Sequence, residues 1–309
     1  MKLVSIIVPI YKTKIDSLKK SLDSLLLQSY KDIEILLVDG GSNEEVVEFL
    51  RIFSSKHNNV TVISTSKGVS HQRNIGLENC KGEYITFIDS DDYVNETYIQ
   101  TLVESLEKNK YDVTISQSLR VEINKQPINE IKYNTSSPDQ LVSDSNFFKY
   151  VRSSCFANIR NLYKKELIAE TKFNEDMSYG EDLFFNYELS KKKFSAVFVE
   201  DAKYYYLVDT NINSASRRMD DKGIEIVNKL YLIYKVNKSV KNDNLVGICK
   251  EFSMNFNIFF YESAREKNKY ILKKLSKYKW LYLKLNFNLK TVFYVLFPIT
   301  IVKRRNKHV

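Results

Sequence analysis

Apolar residues in the first 120 positions follow two alternating rhythms. Short unbroken runs, Val4–Ile10, Ile33–Val38, Val60–Ser64 and Tyr84–Ile88, are separated by stretches where apolar residues recur every three or four positions. Ile15, Leu18, Leu22, Leu25 and Leu26 keep that spacing and predict an amphipathic helix ending near Ser29. Glu44–Ser55, Ser70–Asn79 and Thr97–Glu107 predict three more helices, and Asp112–Gln117 a further strand. Continuous rather than alternating apolar strands belong to sheets covered on both faces. The pattern therefore predicts an α/β fold, a mostly parallel Rossmann-like sheet flanked by helices.

Beyond residue 119 the rhythm weakens. Residues 119–145 are polar and carry no clear period, with Asn134–Pro138 reading as loop. Phe147–Arg152 and Lys164–Glu170 have helical spacing. Gly180 punctuates the chain before a helix over Glu181–Lys192, with Leu183, Phe184, Tyr187 and Leu189 on its inner side. Two short strands follow, Ala196–Val199 and Tyr204–Val208. After about Met219 the pattern is helical and rich in Tyr, Phe and Lys. A break near residue 216 divides a domain over 1–216, with halves 1–118 and 119–216, from an extension over 217–309.

Three strands of the first half end in residues suited to a polar ligand. The carboxyl edge of a parallel sheet is where open α/β folds place their ligands. The Tyr84–Ile88 strand runs into Asp89-Ser90-Asp91-Asp92. Carboxylates crowded within four residues repel one another unless a cation or polar ligand sits among them. A hard divalent ion carrying phosphate oxygens meets that need, although Asp and Ser also serve as turn and cap residues before a helix. The first strand ends in Pro9-Ile10-Tyr11. The second ends in Asp39-Gly40-Gly41-Ser42, where glycines let backbone approach a ligand and Asp39 can accept a hydrogen bond from a base N–H. Arg73, beyond the Gly68 turn, is available to a diphosphate or base edge, although taken singly such a residue is more often a surface ion-pair partner.

In this order, Val4–Tyr11, Ile35–Ser42, Gln72–Gly76, Gly82–Asp92, Asn161–Leu167 and Gly180–Phe185 resemble the family-2 glycosyltransferases. These enzymes bind nucleotide-sugars on an α/β fold called GT-A. The resemblance spans about Lys2 to Arg217. It implies a nucleotide pocket formed by Pro9, Tyr11, Asp39, Gly41, Arg73, Asp89 and Ser90, with Tyr11 against the base, Asp39 on its edge and Asp89 facing the ribose. Asp91 is implied to hold Mn²⁺ or Mg²⁺ bridging the diphosphate. Asp182 is implied as general base, with Glu181 as the alternative, and Arg217 as a cover for the diphosphate. The function implied is metal-dependent, inverting transfer of a sugar from a UDP-sugar to an acceptor hydroxyl, in bacterial surface-polysaccharide assembly.

Two departures concern the site. Gly40 stands where many relatives carry a second acid, and Ile159 and Asn161 stand where relatives often have tryptophan and lysine. Competing readings are a sugar nucleotidyltransferase and a non-catalytic carbohydrate-binding relative. The first expects a glycine-rich basic loop after strand one, where Tyr11-Lys12-Thr13-Lys14 instead leads straight into a helix. The second sits poorly with retention of every candidate acid.

Bulk properties refine this picture at one place, the tail. The 309 residues are 43% hydrophobic and 28% charged, an ordinary globular composition. Cys80, Cys155 and Cys249 lie far apart, and with only His57, His71 and His308 they argue against a thiolate–imidazole zinc site and suit a reducing compartment. Net charge is +9, but from Arg265 onward 13 Lys or Arg face one acid, leaving the first 264 residues at −3. Basic residues interleaved with Tyr, Leu, Phe and Trp280 suit the face of an anionic bilayer. They suit packing on the catalytic domain as well. Thr291–Val302 is apolar but contains Pro298 and is too short to span a bilayer. No secretory signal opens the sequence. The expectation is a cytoplasmic enzyme held peripherally on the inner face of the cell membrane, serving a glycan or lipid-linked acceptor. Nucleic acid is not expected, because no nucleic-acid module accompanies the basic strip.

Overall fold

The computed structural model describes residues 2–108, 110–122, 130–132, 141–143, 159–177, 180–208, 227–228, 230–231 and 269–285. The chain divides into two compact units, Met1–Ile212 and Asn213–Val309.

In the first unit β1 (Val4–Ile10), α1 (Ile15–Leu26), β2 (Ile33–Asp39), α2 (Glu44–Lys56), β3 (Val60–Ser64), α3 (Val69–Asn79) and β4 (Tyr84–Phe87) alternate as the apolar rhythm predicts. Strands β1 to β4 pair in parallel, with Ile10 opposite Asp39, Asp39 opposite Ser64 and Ile7 opposite Phe87. Their carboxyl ends therefore share one edge. Both faces are covered. Val4, Ile6, Val8 and Ile10 join one buried cluster with Leu18, Leu22 and Leu25 of α1, while Ile7 joins another with Leu36, Val38 and Phe87. Burying side chains of this size stabilises the unit by about 1.5–3 kcal/mol each.

The second half of the unit adds β5 (Tyr93–Val94), α4 (Tyr98–Lys108), β6 (Val113–Glu122), β7 (Glu130–Lys132), β8 (Leu141–Ser143), β9 (Asn161–Lys164), α5 (Lys165–Ile168), α6 (Glu181–Leu189) and β10 (Ser195–Val208). The strand order is β3-β2-β1-β4-β9-β6-β10-β5, with β7 on β6 and β8 on β10. β9 runs antiparallel to both β4 and β6, whereas β6 and β10 are parallel to each other. The sheet is thus parallel through its first four strands and mixed beyond them.

Several second-half expectations need correction. Lys164 ends a strand, and the helix expected over Lys164–Glu170 is only Lys165–Ile168. β9 is short and half polar, so it has no apolar run to announce it; its Asn161 is buried and donates to the Tyr163 hydroxyl at 2.9 Å. The two strands expected at Ala196–Val199 and Tyr204–Val208 are one, β10, whose register against β6 shifts between Val199 and Lys203. Within residues 119–145, β6 continues to Glu122, and β7 and β8 fall in the same stretch. The helix expected at Phe147–Arg152 lies outside the described residues.

In the second unit, α7 (Lys269–Ser276) and α8 (Lys279–Leu285) follow one another. Leu275 and Tyr278 are buried, and the Tyr278 hydroxyl donates to Asn228 Oδ1 at 2.6 Å. Trp280 is 80% exposed. Among the described residues, no helix is long and apolar enough to cross a membrane.

Candidate active site

The shared edge of β1, β2 and β4 carries the residues singled out from the sequence. Pro9 is buried inside β1, opposite Val38. Tyr11 follows the strand with 41% of its surface exposed. Asp39 closes β2, buried, and accepts from the Ser42 N–H at 3.1 Å, which shapes the turn through Gly40 and Gly41. Gly41 has φ 95°, in the left-handed region that side chains rarely adopt. Gly40 has a different reason. A β-carbon there would meet the Gln72 side chain at 2.9 Å. Gln72, buried, donates from Nε2 to the Ile10 and Val38 carbonyls at 2.7 Å each and so ties the ends of β1 and β2 together.

The acidic loop after β4 is held from several sides. Ser90 hydrogen-bonds Thr13 at 2.6 Å, linking it to the loop after β1. Asp92 is buried; its carboxylate accepts from the Tyr204 hydroxyl at 2.7 Å and from the Leu207 N–H at 2.8 Å, both on β10. Asp89 accepts from Arg73 at 2.8 Å on one oxygen and from Arg160 at 3.1 Å on the other. Asp91 alone among the three acids has an exposed side chain.

These contacts set the charge states. Burial alone would raise the Asp89 carboxyl, but the charges of Arg73 and Arg160 hold it below the usual carboxylate range. Asp91 is pushed up to about 6, first by the protein crowded around its loop and then by the Asp89 charge. Burial and the Asp91 charge also push Asp92 up, against the pull of Arg160.

The second-half acids arrive on α6. Gly180 precedes it with φ 76°, again a left-handed conformation, and turns the chain so that Glu181 and Asp182 occupy the first helical turn. Acids are favoured there by the helix dipole. Asp182 accepts from the Leu183 N–H at 2.7 Å and is pushed up to about 8, by burial first and by Glu181 second. Glu181 accepts from Arg73 at 2.8 Å. The Arg73 guanidinium, only 5% exposed, therefore touches an acid of the β4 loop and an acid of α6 at once. Acids 92 positions apart in the chain, Asp89 and Glu181, thus meet at one guanidinium.

The structure brings together Tyr11, Asp39, Gly41, Arg73, Asp89, Ser90, Asp91, Glu181 and Asp182 around this edge. Arg73 is turned inward onto two carboxylates rather than open to solvent, and Asp89 is likewise engaged on both oxygens. Arg217 lies outside the described residues. Gln72, Arg160 and Tyr204 were not singled out by sequence reasoning. Arg160 stands directly before Asn161-Leu162-Tyr163, a segment already marked, so its neighbourhood was visible although its reach was not.

Residues 5–168 match the family model Glycosyl transferase family 2, more than half of the chain. The chain belongs to this family. This family-2 member is 31% identical over 221 residues to an uncharacterized glycosyltransferase, EpsJ, of Bacillus subtilis, covering 68% of this chain and 62% of that protein. It is 28% identical over 220 residues to the glycosyltransferase GlyA of Streptococcus pneumoniae, covering 66% of this chain and 30% of GlyA. It thus spans less than two thirds of the length of either relative. Its fold matches the crystal structure of S. aureus TarS 1-349 in complex with UDP-GlcNAc, with TM-score 0.68 and 17% identity over 99% of this chain and 91% of that one. The family-2 chain carries the fold its motifs led us to expect, and the matched segment contains the whole β1–β4 edge and Arg160.

Proposed function

We propose that this chain transfers a sugar from a UDP-sugar to an acceptor hydroxyl, with inversion at the anomeric carbon, in the assembly of a bacterial surface polysaccharide. One observation carries the reading: Arg73 lies 2.8 Å from both Asp89 and Glu181, so the donor-side loop and the start of α6 meet at one guanidinium. A displacement reaction needs its leaving group and its base around one carbon, and this arrangement supplies both sides. Family membership and the UDP-GlcNAc complex of TarS support the choice of donor. Tyr11 would lie against the base, with Asp39 accepting its N–H.

Mn²⁺ or Mg²⁺ fits the donor set. Among the described residues no three His, Cys, Asp or Glu side chains converge to cage an ion by themselves. These hard ions need only one or two carboxylates, taking phosphate oxygens and water for the rest. Asp91, the open acid of the loop, is the residue to hold one. When bound, the ion supplies Lewis-acid stabilisation of charge on the departing diphosphate.

Asp182 takes the proton from the acceptor hydroxyl as that oxygen bonds to the anomeric carbon. The bond from this carbon to the diphosphate oxygen breaks, and the nucleoside diphosphate leaves with the electron pair. A carboxyl pushed up to about 8 is a far stronger base than an ordinary aspartate once ionised. The test is release of UDP from UDP-sugars with Mn²⁺, in the parent protein and in Asp91→Ala and Asp182→Ala. Unchanged turnover in both variants would overturn the assignment.

The second unit, in this reading, meets an anionic membrane surface on its cytoplasmic side and brings the enzyme to a lipid-linked or glycan acceptor. Trp280, 80% exposed, stands on a helix that follows Lys273, Lys274 and Lys277, of which all three are exposed. Each basic residue near acidic lipid contributes about 1 kcal/mol.

A further inference from the structure

Arg160 has no role in the reading above, yet it is among the most constrained side chains of the crevice. It stands just before β9, and its side chain is 11% exposed. Its Nη2 lies 3.1 Å from Asp89 Oδ2 and 3.5 Å from Asp92 Oδ2. The guanidinium sits 4.5 Å from the ring centre of Tyr204 and 4.8 Å from that of Tyr206. Its backbone is pinned too, since its carbonyl accepts from the Tyr98 hydroxyl at 2.7 Å and from Ser116 at 2.5 Å.

The contacts form a ladder of alternating sign. Asp92 meets Arg160, Arg160 meets Asp89, Asp89 meets Arg73, and Arg73 meets Glu181. It crosses four elements: the loop after β4, the entry to β9, α3 and the start of α6. With Asp89 held on both oxygens and Asp92 held by Arg160 and β10, Asp91 is the acid of the loop left open to solvent.

We propose that Arg160 is a positioning residue for the transfer reaction: it fixes Asp89 and Asp92 so that the loop presents Asp91 outward, and through Asp89 and Arg73 it registers that loop against the helix bearing Asp182. The inference rests on the proposed reading of this crevice as a donor and metal site. Arginine is required by the geometry. A planar guanidinium can stack on two tyrosine rings while meeting two carboxylates, and a lysine ammonium at the end of a flexible stem cannot.

The experiment compares the full-length parent with Arg160→Lys and Arg160→Gln, measuring UDP binding by calorimetry with and without Mn²⁺, steady-state turnover, and thermal unfolding. In the proposed site Tyr11 and Asp39 hold the base at the ends of β1 and β2, apart from the loop that Arg160 braces, so metal-free UDP binding is expected within about twofold of the parent. The tightening of UDP binding by Mn²⁺ is expected to weaken by about 10- to 100-fold, the range for losing a residue that orients a metal site from outside it, and kcat to fall at least as far. Arg160→Lys should recover only part of either. If Arg160→Gln does not fold, Tyr206→Leu removes one stacking partner without changing charge and should shift the same two quantities in the same direction. Folded variants with parental Mn²⁺ tightening and kcat would overturn the proposal, as would an equal loss of metal-free and Mn²⁺-dependent binding. A parent that binds no UDP under either condition would overturn the site reading itself, and this inference with it.

Discussion

Replacing Glu181 by Gln should move the rising limb of the pH–rate profile toward acid. Asp182 is pushed up to about 8 by burial and by the neighbouring Glu181 carboxylate, against the pull of Arg73. The substitution changes two of these influences. It removes a like charge at the adjacent position, and it releases Arg73 from one of its two acids, so more of the guanidinium's field falls on Asp182. Both changes favour the ionised form. Two unit charges about 6 Å apart at an effective dielectric of about 20 interact by about 3 kcal/mol, which is about two pKa units. Asp182 is partly open to solvent, and screening reduces the expected displacement to about one unit. The assay is initial rate of UDP release at saturating donor from about pH 5.5 to 9.5. The parent rate should climb roughly tenfold per pH unit and break near 8, and the Glu181→Gln break should come about one unit lower. Asp182→Asn should abolish the limb and lower the rate by about 10²- to 10⁴-fold. A break that stays put or moves upward in Glu181→Gln would refute the reasoning. So would loss of rate and limb in Glu181→Gln with both retained in Asp182→Asn, which would make Glu181 the base.

Other consequences follow from the same contacts. Asp182→Asn should stabilise the fold at alkaline pH: its folded-state carboxyl lies above its unfolded value, so the unfolded chain ionises first and stability is lost as pH rises from about 4 through about 8. The melting temperature of the variant should exceed the parent's above pH 8 and converge with it near pH 4. Arg73→Met takes the guanidinium from Glu181 and leaves Asp89 with Arg160 on one oxygen, and should cost about 3–5 kcal/mol of stability, read from urea unfolding. Trp280→Ser should weaken sedimentation with vesicles containing anionic lipid, with no change on neutral vesicles and no loss of UDP binding; equal binding to anionic vesicles would remove this residue from the membrane contact.

How far the site was legible in the sequence depends on the separation of its partners. The ends of β1, β2 and β4 could be read because each of these strands carries its own signal: an apolar run buried on both faces, followed within three residues by Tyr11, by Asp39 and Gly41, or by Asp89. β9 could not. Its four residues include a buried Asn161, and its backbone ladder comes only from insertion between β4 and β6. Likewise the register shift in β10 is a property of its pairing with β6 and not of its composition, which is why one strand looked like two.

Charge carries the same lesson further. Arg73 and Asp89 are 16 positions apart, and both were singled out, but each was assigned to a ligand. What gives them their observed roles comes from farther away: Arg160 is 71 positions from Asp89, Glu181 is 108 from Arg73, and Tyr204 is 112 from Asp92. An aspartate followed by Ser90 and two more acids advertises a cation because nothing local neutralises it. Only folding supplies two guanidiniums, and they arrive at Asp89 and Asp92 rather than at Asp91. The division of labour within the loop, two acids anchored and one left open, is therefore set by residues from the entry to β9, from β10 and from α3. A motif search that scores the loop alone treats its three aspartates as interchangeable, whereas their surroundings make Asp91 the one acid whose removal should leave the ladder of ion pairs intact.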